Sequence, residues 1–204
     1  MKKTLVVLLV LLTATCLFAS DFSFGAKFGI TTGGTSELSI KDSNVRDKLT
    51  YTAIAMGVEG TYAIDNNYSI EGDFMFQIPI KATYGDLISK NRKEFKKGFG
   101  FKADLGFGYV LRVDSAVDFK VGGGFTFNSV SFKKSTVIGA DKVKTFGIYG
   151  FGKAAYPVMD KLDVVAELNV DLALYGKITN GSQVAKSLAF KPNVTAVIGA
   201  VYHI

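Results

Sequence analysis

The sequence predicts an all-β fold, a transmembrane up-and-down antiparallel barrel of eight strands, and three observations support this prediction. After residue 20, apolar side chains alternate with polar ones nearly everywhere, whereas helical periodicity is hard to find. The apolar face of the alternating segments is long and rich in aromatic residues. The charged residues fall on the opposite face or in the connections, which is the arrangement of a barrel with lipid outside and a polar lumen.

The first twenty residues have the organisation of a secretory signal peptide. Two lysines precede a short apolar run, and small residues follow at a plausible cleavage position after Ala19 or Ser20. Because the apolar run is too short for a spanning helix, we predict that 1–20 are removed and that 21–204 form the barrel. Cys16, the only cysteine, would be lost with them, and acylation of Cys16 as in a lipoprotein is the alternative.

Eight segments show an apolar face with a period of two residues, and these are the predicted strands. Most exceed the roughly 9–11 residues that a tilted strand needs to cross a bilayer. Short turns alternate with long loops, as in antiparallel neighbours joined in series. The strands cover 22–31, 50–64, 68–84, 98–112, 116–132, 144–156, 162–178 and 188–204, the long loops 32–49, 85–97, 133–143 and 179–187, and the short turns 65–67, 113–115 and 157–161.

The placement of charge indicates which face is outside. A soluble sandwich or a lipocalin-like barrel would also alternate, but it would turn its charged face to water. Here the polar strand faces hold eight basic and eight acidic residues. A narrow lumen requires such a balance, because buried charges are tolerated only when paired. The predicted lumen charge network comprises Lys27, Glu59, Glu71, Asp73, Lys81, Lys102, Asp104, Arg112, Asp118, Lys120, Lys153, Asp163, Glu167, Asp171, Lys177 and Lys191.

Five tyrosines give independent support for a membrane orientation. All of them lie on the apolar face beside a short turn or the C-terminus, so they share one end of the barrel. Amphipathic aromatic residues collect at membrane interfaces, and a soluble barrel has no reason to ring one rim with outward tyrosines. The predicted aromatic girdle comprises Tyr62, Tyr68, Tyr109, Tyr156 and Tyr202.

With these features together, residues 21–204 resemble the small eight-stranded outer-membrane barrels of the OmpA/OmpX type. The resemblance is architectural and rests on the signal peptide, the eight alternating strands, the four long loops and the three short turns. It implies a place in the bacterial outer membrane, with termini in the periplasm, long loops outside and the barrel-assembly machinery as a partner during insertion. The chain departs from the family at Ile204, because the last residue there is usually aromatic.

The sequence predicts no catalytic site, no metal site and no cofactor. Carboxylate pairs such as Glu71 with Asp73 and Glu167 with Asp171 suit a lumen salt-bridge network better than acid–base chemistry. His203 is the only histidine, and no motif accompanies it. The glycine-rich stretches follow strand periodicity and open no helix, so they are not phosphate loops. A lipid-active enzyme that uses His203 is a further alternative.

The long loops are the candidate working surface. They hold thirteen basic and six acidic residues when Lys144, at the edge of a strand, is counted with them, so the rim that they form attracts anionic partners. A nucleic acid is not among the predicted partners. Those partners are lipid phosphates of the outer leaflet or a host polyanion. We predict a structural or adhesin-like surface role, with a narrow pore for ions or small solutes as the alternative. The residues for anionic partners are Lys90, Arg92, Lys93, Lys96, Lys97, Lys133, Lys134, Lys142 and Lys144.

Overall fold

The computed structural model describes residues 21–40, 46–86, 92–95, 98–111, 116–132, 142–180 and 183–204. No helix in these ranges is long and apolar enough to cross a membrane. The same ranges form nine strands: β1 (Phe22–Ile40), β2 (Arg46–Ala63), β3 (Tyr68–Asp86), β4 (Arg92–Phe95), β5 (Gly98–Leu111), β6 (Asp118–Phe132), β7 (Lys142–Met159), β8 (Leu162–Asn180) and β9 (Gln183–His203).

The strands form one closed antiparallel sheet. Apart from the short β4, neighbours in sequence are neighbours in space, and β1 also pairs with β9, which closes the barrel. The short β4 pairs only with the outer end of β3, from Ala82 to Gly85, beyond Gln77 where the pairing of β3 with β5 stops. The other eight strands make the predicted eight-stranded barrel, which is confirmed, and β4 is an addition inside the segment 85–97 that was predicted as a loop.

The strands extend further than the apolar pattern predicted. β1 continues to Ile40 and β2 begins at Arg46, so most of the predicted loop 32–49 is strand. β8 likewise ends at Asn180 and β9 begins at Gln183. A tilted strand crosses a bilayer in about 9–11 residues. Beyond that length no lipid demands an apolar face, so the backbone ladder continues while the alternating pattern fades from the sequence.

The two ends of the barrel differ in their connections. Residues 64–67 and 160–161 are short turns at one end. Asp65 stabilises the first of these turns, because its carboxylate accepts hydrogen bonds from the N–H groups of Asn67 and Tyr68 at 2.7 and 2.8 Å. We call this the turn end of the barrel. The opposite end, which carries the end of β1 and the start of β2, is the loop end.

Outward-facing side chains are apolar along the middle of the wall. Phe125 is 61% exposed, whereas the inward Lys102 is 1% exposed. Aromatic rings contact each other across neighbouring strands, as Phe74 does with Phe101 at 6.0 Å and Phe125 with Phe146 at 6.1 Å. A continuous exposed band of this kind is unfavourable in water and suits a hydrocarbon environment.

A β-bulge reverses the alternation of β3 in its loop-end half. The partner of Ala53 is Pro79 and that of Thr52 is Lys81, so Ile80 is an extra residue. Pro79 has no N–H group to donate to the ladder, and a bulge is a position where proline is tolerated. Because of the bulge, Lys81 is exposed on the outer wall. Its predicted place in the lumen network is therefore wrong.

A second bulge lies in β8. Leu174 is the extra residue between Ala173 and Tyr175, whose partners on β7 are consecutive. The residues beyond it exchange faces, and Lys177 becomes exposed. The prediction that Lys177 lies in the lumen is corrected accordingly.

A third bulge lies around Pro192 in β9, where two residues oppose one on β1. Lys191 is exposed as a result, which corrects its predicted place in the lumen. Phe190, which the alternation placed on the outer face, instead packs inside the barrel.

The reversed residues help to fill the loop-end half of the lumen with apolar side chains. The ring of Phe190 occupies the space above Gly176, where a methyl group would overlap it. Tyr51 and Phe132 pack edge to face at 5.9 Å. We call this cluster the apolar plug, and it comprises Leu49, Tyr51, Ala53, Ala82, Val130, Phe132, Val143, Ile178 and Phe190.

Candidate functional site

Lys27 lies at the centre of the charged part of the lumen. Its Nζ lies 2.6 Å from Glu59, 2.7 Å from Asp73 and 2.5 Å from Glu167. The four residues come from β1, β2, β3 and β8, at inward positions of the alternating strands. An ammonium group has three N–H donors, so this lysine can serve one carboxylate with each. It thereby links strands that do not pair with one another.

Lys153 continues the network from β7. Its Nζ lies 2.7 Å from Glu59, 3.1 Å from Glu71 and 3.4 Å from Glu167. Glu71 also contacts Lys120 of β6 at 2.6 Å and accepts hydrogen bonds from two hydroxyl groups. Every acidic member here has at least one lysine partner, which is the condition for keeping carboxylates ionised away from water.

A smaller group lies nearer the loop end. Lys102 contacts Asp104 at 2.9 Å and Asp171 at 2.8 Å, and all three are buried. Asn128 donates a hydrogen bond to the hydroxyl of Tyr51 at 2.8 Å. Tyr51 belongs to the apolar plug, so this bond joins the polar part of the lumen to the apolar part.

The structure therefore brings together ten of the sixteen predicted network residues. Among the described residues this lumen charge cluster holds four lysines and six carboxylates, so the predicted equality of charges does not hold for it. Removing ions from water costs several kcal/mol each, and the pairing offsets that cost only where hydrogen bonds are also made. The members are Lys27, Lys102, Lys120 and Lys153 with Glu59, Glu71, Asp73, Asp104, Glu167 and Asp171.

The other six predicted residues lie elsewhere. Lys81, Lys177 and Lys191 are exposed on the outer wall because of the bulges. Asp118 is exposed at the start of β6, Asp163 pairs with a histidine at the turn end, and Arg112 lies outside the described residues.

Sequence reasoning missed the pair of Asp163 and His203. Oδ2 of the carboxylate lies 2.8 Å from Nε2 of the imidazole, across β8 and β9. The pair borders a vestibule of about 320 Å³ at the turn end, which Ser23 and Lys120 also line. The signal was available, because both residues face inward at the same end of adjacent strands. Among the described residues no group of three or more His, Cys, Asp or Glu side chains could hold a metal ion.

Inward glycines make room for aromatic side chains rather than for a channel. A methyl group on Gly106 would lie 2.8 Å from the hydroxyl of Tyr149, and one on Gly122 would lie 2.6 Å from the ring of Phe151. The two rings stack against each other at 6.0 Å, and both side chains are buried. The two rings therefore occupy part of the lumen beside the charge cluster, at the level of Lys153.

The five tyrosines of the predicted girdle are all exposed near the turn end of their strands. Two of them contact each other, with ring centroids 5.2 Å apart, and a third contacts Phe24 at 5.8 Å. These side chains lie at the turn-end edge of the apolar wall. The exposed residues are Tyr62, Tyr68, Tyr109, Tyr156 and Tyr202.

The basic residues predicted for anionic partners are described only in part. Lys142 is partly buried and Lys144 is exposed, both at the start of β7. Arg92 and Lys93 lie in β4, and the structure describes their backbone only. The remaining residues fall outside the described ranges, namely Lys90, Lys96, Lys97, Lys133 and Lys134.

Solved structures share this barrel. OprG from Pseudomonas aeruginosa matches with a TM-score of 0.62 and 14% identity, over 89% of this chain and 96% of OprG. Neisserial surface protein A matches with a TM-score of 0.58 and 12% identity, over 90% of this chain and 97% of its own. The fold is that of the small outer-membrane β-barrels.

A further match shows how widely the fold is used. The outer membrane protease OmpT from Escherichia coli has a TM-score of 0.54 and 11% identity, over 90% of this chain and 96% of OmpT. No protein-family model matches the sequence, and no curated protein matches it. Together, the barrel and its apolar outer wall are those of a protein that spans a bacterial outer membrane. A shared barrel does not determine the function, which depends on the side chains that this chain carries.

Proposed function

We propose that this chain is a closed outer-membrane barrel whose loop-end rim is an adhesin-like surface for anionic partners. The observation that carries the proposal is the filled lumen. The lumen charge cluster occupies its turn-end half and the apolar plug its loop-end half. A barrel filled in this way offers its rim, rather than its interior, to other molecules.

The distribution of charge along the barrel favours an anionic partner. Exposed carboxylates mark the turn end, as at Asp65 and Asp160, whereas exposed lysines mark the loop-end half, as at Lys81 and Lys191. The predicted loops add further basic residues at the loop end. A rim of one sign of charge concentrates partners of the opposite sign and increases their association rate, and added salt weakens that effect.

The surface role is tested by binding of heparin, a sulfated polysaccharide, to barrels folded into phosphatidylcholine vesicles. We expect binding that weakens with added salt and that is several-fold weaker in a Lys133→Gln, Lys134→Gln variant. Lys161→Gln, at an exposed position of a turn-end connection, is the matched control and should bind as the wild type does. Equal binding by the two variants would show that the loop lysines have no such role.

The pore alternative is tested by single-channel recording in planar bilayers. We expect no reproducible ion conductance from the wild-type barrel, because side chains occupy the lumen at both levels. Steady conductance steps would contradict the closed-barrel proposal and favour a narrow channel.

We further propose that residues 1–20 act as a secretory signal peptide and that the barrel-assembly machinery inserts the strands. The predicted signal lies outside the described residues. Sequencing of the N-terminus of the exported protein checks the first part, with a start at Ser20 or Asp21 as the expected result. Retention of the first twenty residues would contradict it.

A further inference from the structure

Two lysines stand directly opposite each other on the outer wall, in the loop-end half of β7 and β8. Lys144 and Lys177 are partners in the strand register, and both are exposed. Directly opposite side chains on one face of an antiparallel pair have their Cβ atoms roughly 4.5–5.5 Å apart, and like charges in that arrangement are destabilising. The backbone hydrogen bonds between β7 and β8 do not require two ammonium groups at this place.

The bulge at Leu174 is what puts Lys177 there. Strict alternation from Asp171 would turn Lys177 into the lumen, beside the carboxylates that it could have paired with. The extra residue instead moves it next to Lys144. Among residues whose side chains the structure describes, no carboxylate forms an ion pair with either lysine, although Lys27, Lys102, Lys120 and Lys153 all have such partners.

The residues around the pair indicate its depth in the membrane. One step along the same face toward the middle of the wall, Phe146 and Tyr175 are also directly opposite each other, and they are 47% and 70% exposed. One step toward the loop end lies Lys142. An apolar wall followed by an aromatic layer and then by lysines is the order met at a membrane interface.

We propose that Lys144 and Lys177 form a binding site for a phosphate monoester, a group with net negative charge, on the headgroup of an outer-leaflet lipid. An anion between the two ammonium groups replaces their repulsion with two charge-assisted hydrogen bonds. The occupant is a lipid rather than a soluble polyanion, because the pair faces sideways from the wall, directly above the aromatic layer. The site rests on the proposed membrane position and is independent of the adhesin-like role.

The test is a double-mutant cycle with Lys144→Gln and Lys177→Gln in the full-length folded barrel. Stability against urea is measured in phosphatidylcholine vesicles, where the choline group balances the charge of each lipid phosphate, and in vesicles that also contain bis-phosphorylated lipid A. In phosphatidylcholine we expect the coupling between the lysines to be unfavourable, so each single variant is at least as stable as the wild type. In vesicles that contain lipid A, the coupling free energy between the two lysines should become favourable. Each single variant should bind lipid A about tenfold more weakly than the wild type.

Lys161→Gln, at the turn end, is the matched control and should behave as the wild type does in both vesicles. The proposal is overturned if the coupling keeps one sign in both lipids, or if binding of lipid A is unchanged in both single variants. It is also overturned if inorganic phosphate added to phosphatidylcholine vesicles has the whole effect of lipid A. Heparin binding by the same variants is a separate readout, so failure of the adhesin-like role alone leaves the lipid site intact.

Discussion

At the scale of single residues, Lys27 has the most consequential position in the lumen. Its ammonium group contacts three carboxylates, which lie on three different strands. Removing one partner of a buried ion pair leaves an uncompensated charge, and the loss is larger than the net contribution of the pair itself. The contribution of Lys27 therefore depends on the carboxylates around it rather than on its own burial.

Lys27→Met should destabilise the folded barrel by about 3–5 kcal/mol, because three acidic side chains lose a shared cation. Urea unfolding of the barrel in detergent micelles measures the change. Lys161→Met removes an exposed lysine at the turn end and should stay within about 0.5 kcal/mol of the wild type. Similar losses in the two variants would show that the lumen pairs are not specific.

Gly122→Ala should also be destabilising, by about 1–3 kcal/mol, because the added methyl group would overlap the carbonyl oxygen of Phe107 and lie 2.6 Å from the ring of Phe151. Gly152→Ala is the matched control, since a methyl group there meets nothing within 4 Å. That control should be neutral or more stable than the wild type, because alanine restricts the unfolded chain. The same unfolding experiment compares the two, and equal losses would contradict the close packing around Gly122.

At the scale of the strand, the bulges decide which side chains meet. Each bulge reverses the faces beyond it, so β3, β8 and β9 place apolar residues inside and lysines outside near the loop end. In each of these strands, the extra residue therefore marks the boundary between the charged part and the apolar part of the lumen. This effect is local to each strand and leaves the register of the turn-end half unchanged.

Deletion of Leu174 should therefore be tolerated. The deletion removes the extra residue, so Asp171 stays inside and Lys177 stays outside. Deletion of Leu168, which lies in the regular ladder, should instead turn Asn169 and Asp171 outward and prevent folding. Heat-modifiable gel migration reports folding, and a water-soluble maleimide should still label a Lys177→Cys barrel that lacks Leu174. Loss of that labelling would contradict the assignment of the bulge.

The period of two residues was enough to predict the eight strands, their outward apolar faces and the inward side of Lys27 and Glu167. The same pattern does not predict the positions of the bulges. Leu174 and Tyr175 are both apolar enough for an outward position, so the sequence does not say which one is extra. Proline stands beside the other two bulges, but it occurs also at strand ends. The partners of each lumen lysine depend on closure of the whole barrel, which no local pattern contains.

At the scale of the whole molecule, the lumen has two barriers in series. The lumen charge cluster spans seven of the eight barrel strands, and the apolar plug closes the loop-end half above it. Opening one barrier leaves the other in place. The barrel as a whole, rather than any single residue, therefore sets its permeability.

The barrel should not conduct ions when only one of the two barriers is altered. In one variant Lys27, Glu59, Asp73, Lys153 and Glu167 are replaced together by serine, which leaves Glu71 paired with Lys120 and so avoids an unpaired charge. In a second variant Phe132→Ala and Phe190→Ala shorten the plug. We expect ion conductance in planar bilayers only when the two sets are combined. Conductance from either set alone would show that the lumen has a single barrier.

The ion pairs of Lys27 also constrain the time course of folding. Lys27 is on β1 and Glu167 is on β8, so their contact joins residues 140 positions apart. Contacts between such distant residues form slowly. Until β1 meets β9, the interior of an inserting barrel holds ammonium and carboxylate groups without their final partners. The last step of insertion therefore completes the wall and the ion pairs of Lys27 together, and the finished barrel should open only through a rare, concerted separation of its first and last strands.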